Sequence, residues 1–78
     1  MEKRVRKQDL SPFVIELGKR IKKIRKEKKM TVTDLSYECK MDSQNLRKYE
    51  NGKQEMKVST LKRIAEGLGV SVSRLLDF

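Results

Sequence analysis

The sequence predicts a compact all-α bundle of five short helices. Apolar residues recur at helical spacing, helix-starting residues precede each such stretch, and nothing shows the alternation of a half-buried strand. With 78 residues there is room for one core and no second.

Residues 1–10 are basic and nearly devoid of apolar side chains, and they read as a flexible arm preceding a domain over 11–78. Ser11-Pro12 starts helix 1, Ser as N-cap and Pro at the first helical position. Val14, Leu17, Ile21 and Ile24 follow at helical spacing to about Lys28, with Lys19, Lys22, Lys23 and Lys26 on the opposite face. Thr31 opens helix 2 with Asp34 three residues on, a capping box with Asp in place of Glu. Leu35, Ser36 and Cys39 are its inward residues. Lys40-Met41 is a short turn, Asp42 caps helix 3, and Asn51-Gly52 ends it, Gly taking the left-handed conformation. Helix 4 runs from Val58 to about Gly67, with Val58, Leu61, Ile64, Ala65 and Leu68 on one face. Gly69 breaks it, and Ser71 caps a last helix containing Val72, Leu75 and Leu76.

Lys and Arg number 20 against 11 acids, a formal charge of +9. Residues 1–29 carry a net +8 of that and residues 30–78 a net +1. Such an excess favours a polyanionic partner, nucleic acid or an anionic membrane. Membrane attachment is not expected, because helices 2 to 5 supply apolar surface to cover helix 1 and no run is long enough to span a bilayer. One Cys and no His leave no intrachain disulfide and no zinc site of the usual kind. Together with the lack of a targeting segment, this points to the cytoplasm. No Gly-rich phosphate loop or paired-carboxylate cleft suggests an enzyme, and no cofactor, metal or small-molecule ligand is expected. Cys39 reads as a small core residue rather than a redox switch.

Helices 2 and 3 are separated by about three residues, the length of a helix-turn-helix, whose second helix enters the major groove. At 100° per residue, helix 3 gathers Leu46, Tyr49 and Glu50 on one side and Gln44 and Lys48 opposite. Arg47 and Asn51 lie on one flank, Asn45 on the other, and Ser43 at the start. Gln can bond adenine N6 and N7 together, and Arg or Lys guanine O6 and N7. The face formed by Ser43, Gln44, Arg47 and Lys48 is therefore suited to reading bases, although this helix alone reads equally well as a solvated surface. Tyr49 is assigned to the core, and exposed aromatics of the kind that read single strands are not expected.

Context decides between these readings. Leu17-Gly18-Lys19-Arg20-Ile21-Lys22-Lys23-Ile24-Arg25, Met30-Thr31, Asp34-Leu35-Ser36, Tyr49-Glu50-Asn51-Gly52-Lys53, Leu61-Lys62-Arg63-Ile64-Ala65 and Leu68-Gly69-Val70-Ser71, ending in Leu75-Leu76, resemble in order and spacing the phage repressor and Cro family. The resemblance covers residues 13–76. It implies the lambda-repressor-like five-helix bundle and a double-stranded-DNA-binding transcriptional regulator, a repressor acting as a homodimer. It implies base contacts at Ser43, Gln44 and Lys48, and phosphate contacts near Thr31, Asn51 and Lys53. It also implies an ion pair between Arg25 and Glu50, which the helical wheels place at the edges of facing apolar surfaces. The chain departs from the family at Val32 (Gln in the pattern), Ser36 (Ala), Lys40 (Gly) and Met56 (Pro), which bears chiefly on the phosphate contacts.

Two further expectations concern the ends. Lys3, Arg4, Arg6 and Lys7 of the arm either track phosphates or belong to a tail with little effect. Leu76 and Phe78 either face a second protomer across a two-fold axis, or Phe78 folds back over helix 1 near Phe13 or frays, and the protein dimerises only on DNA. The competing function is an antitoxin-type protein-binding module that also controls its own promoter. Such modules commonly append a toxin-neutralising tail after the last helix.

Overall fold

The computed structural model describes residues 11–78, and the basic arm with Lys3, Arg4, Arg6 and Lys7 lies outside them. Among the described residues there are five helices: α1 (Pro12–Glu27), α2 (Val32–Cys39), α3 (Ser43–Glu50), α4 (Val58–Leu68) and α5 (Val72–Leu75). None is long and apolar enough to cross a membrane.

The starts of the helices follow from local chemistry. The hydroxyl of Ser11 accepts from the Val14 amide, with Pro12 in the first turn. Thr31 and Asp34 form a reciprocal box: the Asp34 amide donates to Thr31 Oγ1 at 3.0 Å and the Thr31 amide to Asp34 Oδ2 at 2.9 Å. The carboxylate of Asp42 accepts from the Gln44 amide at 2.7 Å, and Ser71 caps α5.

Four helices end alike. After each, one residue turns left-handed, its amide and the next one reaching back to carbonyls of the last turn. The left-handed residues are Lys29, Lys40, Gly52 and Gly69. Glycine adopts that conformation without penalty, whereas at Lys29 and Lys40 the Cβ crowds the backbone. Gly52 also has no room for more, since a Cβ there would lie 3.0 Å from the Cα of Ile15.

Leu17, Ile21 and Ile24 of α1 meet Leu35 and Cys39 of α2, Leu46 of α3, Leu61, Ile64, Ala65 and Leu68 of α4 and Leu75 of α5 in one buried cluster. Tyr49, Val32 and Met56 pack against its margin. α1 approaches the end of α3 closely at Gly18, where a Cβ would collide with the carbonyl oxygens of Tyr49 and Glu50. Val58 corrects the sequence reading. Periodicity puts it on the inward face of α4, yet it is 82% exposed. It is the first residue of that helix, 70° from the centre of the buried stripe at 100° per residue, and it lines an open cleft with Phe13 and Leu76 rather than the core.

Candidate nucleic-acid interface

α3 is fixed from beneath by Leu46, fully buried, and by Glu50 at its last turn. The guanidinium of Arg25 on α1 grips that carboxylate with two hydrogen bonds, Nε to Oε2 at 2.8 Å and Nη2 to Oε1 at 3.1 Å. The two side chains are only 8% and 3% exposed. Arg25 Nη1 also donates to the Met30 carbonyl at 2.7 Å. One side chain thus ties α1, the turn before α2 and the end of α3 into a rigid unit, in the bidentate geometry that makes Arg–carboxylate pairs strong.

The opposite face of α3 is open. Gln44, Asn45, Arg47 and Lys48 are exposed and Ser43 is half-buried at the helix start. None of these side chains is held by another polar group of the described residues, so their donors and acceptors are free for a ligand. Asn51 and Lys53, at the end of α3, are exposed as well, and so is Thr31 at the start of α2. The Val32 and Thr33 amides, in the first turn of α2, have no capping partner among the described residues, the arrangement that receives phosphates at helix starts. The Asp34 carboxylate shares that position. Its pKa is held below the usual carboxylate value by the backbone and then the side-chain hydrogen bond of Thr31, so it stays charged and opposes an anion there.

The turn between α2 and α3 has a partner that sequence reasoning missed. Arg63 of α4 donates from Nε and Nη2 to the Cys39 carbonyl at 3.1 and 3.0 Å, and from Nη2 to the Lys40 carbonyl. The available signal was Gly67, one turn further along the same flank of α4. A Cβ there would fall 2.6 Å from Cys39 Sγ, so the helices approach closely and the end of α2 comes within reach of Arg63. Beneath this contact Cys39 is buried. Burial pushes its thiol up to about 11, against a lowering by Arg63, with Glu38 adding to the rise. Such a thiol is a poor nucleophile at neutral pH.

Comparison with known proteins agrees with this architecture. A family model described as a helix-turn-helix domain matches residues 18–77. The control protein C.MunI from a Mycoplasma species is 38% identical over 73 residues, spanning 87% of this chain and 93% of that protein. The chain belongs to the helix-turn-helix domain family. Within it, the restriction-modification controller protein C.Esp1396I is 31% identical, with a TM-score of 0.80 over 86% of this chain and 87% of that one. A structure of C.Esp1396I bound to a 25 base pair operator site gives a TM-score of 0.79 over 86% and 88%. The controller C.AhdI from Aeromonas hydrophila, 18% identical, shares the fold with a TM-score of 0.78 over 80% of this chain and 94% of that one.

For a helix-turn-helix protein three local features are distinctive. Lys40 does take the left-handed conformation at the turn, with φ 59° and ψ 50°. Val32 leans on the core instead of offering a polar group beside α3. Tyr37 on the outer face of α2 is 81% exposed, which corrects the expectation that no such aromatic would appear. The wheel of α2 places it 160° from Leu35, on the side that faces away from the core.

Proposed function

We propose that this chain is a sequence-specific regulator that binds double-stranded DNA and acts as a controller of restriction-modification genes. The observation that carries it is the two-sided character of α3. One side is locked by Leu46 and the Arg25–Glu50 pair, and the other presents Ser43, Gln44, Arg47 and Lys48 without side-chain partners among the described residues. A rigid helix with free bidentate groups suits major-groove reading. Similarity to two controller proteins supports the regulatory role, and C.Esp1396I on its operator supports DNA as the ligand.

In this reading Gln44, Lys48, Arg47 and Ser43 contact bases. Thr31, Asn51 and Lys53 contact phosphates, joined by Lys3, Arg4 and Arg6 of the arm. Two protomers meet through Leu76 and Phe78. The protein acts in the cytoplasm and performs no catalysis. Selection of bound duplexes from a random pool tests the proposal. An enriched inverted repeat is expected, with the preference at one position per half-site relaxed in Gln44→Ala, and Lys53→Ala weakening binding to all sequences alike. A pool with no enriched sequence overturns it.

A further inference from the structure

Two of the four left-handed turns carry lysine, and they flank α2 on either side. Each is braced by an arginine. After Lys29, the Met30 carbonyl accepts from Arg25 Nη1 at 2.7 Å. At Lys40, the carbonyls of Cys39 and Lys40 itself accept from Arg63. The turns at Gly52 and Gly69 have no arginine on their carbonyls among the described residues.

The second brace has a direct bearing on α3. The Lys40 amide reaches the Tyr37 carbonyl and the Met41 amide the Ser36 carbonyl at 3.0 Å, so those two carbonyls of α2 are already satisfied. Among the described residues the carbonyls of Cys39 and Lys40 have no such backbone partner, and they sit at the negative end of α2. A guanidinium there is placed for charge-assisted bonds to both. Only two residues separate Lys40 from the first residue of α3. The backbone of Lys40 therefore sets the angle at which Ser43, Gln44 and Lys48 leave the domain.

We propose that Arg63 is a positioning residue for sequence recognition: it clamps the lysine-bearing turn and so fixes α3 relative to α2. The inference rests on the reading of α3 as the base-contacting element. Arg63 lies outside the face assigned to DNA, and it acts through the turn. Without its bonds, the turn rests on the Lys40 and Met41 amides alone, so Lys40 leaves the left-handed region more readily and α3 tilts. Glycine at position 40 adopts the turn without penalty and makes the clamp dispensable.

The test compares wild type, Arg63→Met, Arg63→Lys, Lys40→Gly and the Arg63→Met, Lys40→Gly double variant, with Gln44→Ala as control. The reading is the ratio of affinity for the selected site to affinity for random duplex, at one salt concentration. Loss of a charge that merely attracts DNA lowers both affinities and leaves the ratio alone. Arg63→Met is expected to lower the ratio about tenfold, the order of one misaligned bidentate contact. Arg63→Lys should fall between, and the double variant should regain most of the loss. An unchanged ratio in Arg63→Met, or a loss that Lys40→Gly does not restore, overturns the proposal while Gln44→Ala still reports on α3. If wild type itself shows no sequence preference, the reading of α3 fails, and amide exchange then decides on the clamp. Faster exchange at Lys40 and Met41 in Arg63→Met, reversed by Lys40→Gly, supports it, and unchanged exchange overturns it.

Discussion

Removing either partner of the Arg25–Glu50 pair leaves the other charged in a site almost closed to water. Exposed ion pairs contribute little, whereas stranding one member of a buried pair costs about 3–5 kcal/mol. Arg25→Met and Glu50→Met should each destabilise on that scale, a large fraction of the stability of so small a domain. The double variant should recover much of the loss, because two packed thioethers need no solvation. Recovery should stop short by about 1 kcal/mol, since the Met30 carbonyl loses its donor whichever residue replaces Arg25. Urea unfolding of the four proteins measures the coupling, and strictly additive losses would show that the pair is not coupled in the folded state.

At the scale of elements, the turns govern how the helices are aimed. Lysine in a left-handed turn costs about 1–2 kcal/mol, and glycine gives back about 0.4–1 kcal/mol through the greater freedom of its unfolded chain. Lys29→Gly should therefore raise stability by roughly 0.5–1 kcal/mol, read as a higher denaturation midpoint with unchanged slope. Gly18→Ala should do the opposite. The gain of about 1 kcal/mol in helix propensity is outweighed by the collision of the new Cβ with the carbonyls of Tyr49 and Glu50. Beneath the second turn, Cys39 gives a pH signature. Its thiol stays protonated in the folded state up to about 11 but ionises near its ordinary value of 9.0 once unfolded. Between those values the unfolded state binds fewer protons, so stability falls as pH rises through the window. Cys39→Ala should be less stable at neutral pH, with a shallower alkaline decline. These elements were largely legible in the sequence, because caps and left-handed ends are local: Ser11, Thr31, Asp34, Asp42, Gly52 and Gly69 each act within four residues of themselves. The Arg25–Glu50 contact, 25 residues apart, was accessible through helical wheels and a family resemblance. Arg63 is marked only indirectly, by Gly67 one turn further on, because its wheel position is exposed and its acceptors are backbone carbonyls 23 and 24 residues away. Val58 was misplaced because periodicity does not say where the layer beneath a helix stops.

For the whole molecule, two opposing long-range effects meet at one face. Phe13, Val58 and Leu76 line one cleft, and Phe78 packs against Phe13 with ring centroids 5.3 Å apart and the rings tilted by 47°. Phe78 does fold back, yet both rings stay more than half exposed, so the pair presents an apolar surface instead of burying one. A two-fold contact there would remove it from water, and to serve an inverted repeat it has to hold two recognition helices about 34 Å apart, one turn of the duplex. Against this stands charge. Each protomer carries +9, and Phe78 also borders Lys19, Arg20 and Lys23, with Glu16 among them and Asp77 next in the chain as counter-charges. Repulsion between such protomers extends about 10 Å at 0.1 M salt and is cut to about 3 Å at 1 M. Added salt should therefore strengthen self-association of the free protein, while it weakens DNA binding by shrinking the free energy gained when counterions are released into solution. Sedimentation at low and high salt measures the first effect and titration of operator DNA the second. Leu76→Asp and Phe78→Asp should abolish the salt-promoted dimer and leave α1 to α4 folded by circular dichroism. On DNA, the acidic variants should still bind a half-site but lose the steep, two-protomer isotherm of an inverted repeat. A free protein that stays monomeric at high micromolar concentration in 1 M salt, and binds one-to-one to an asymmetric site, would exclude a dimer built on this face.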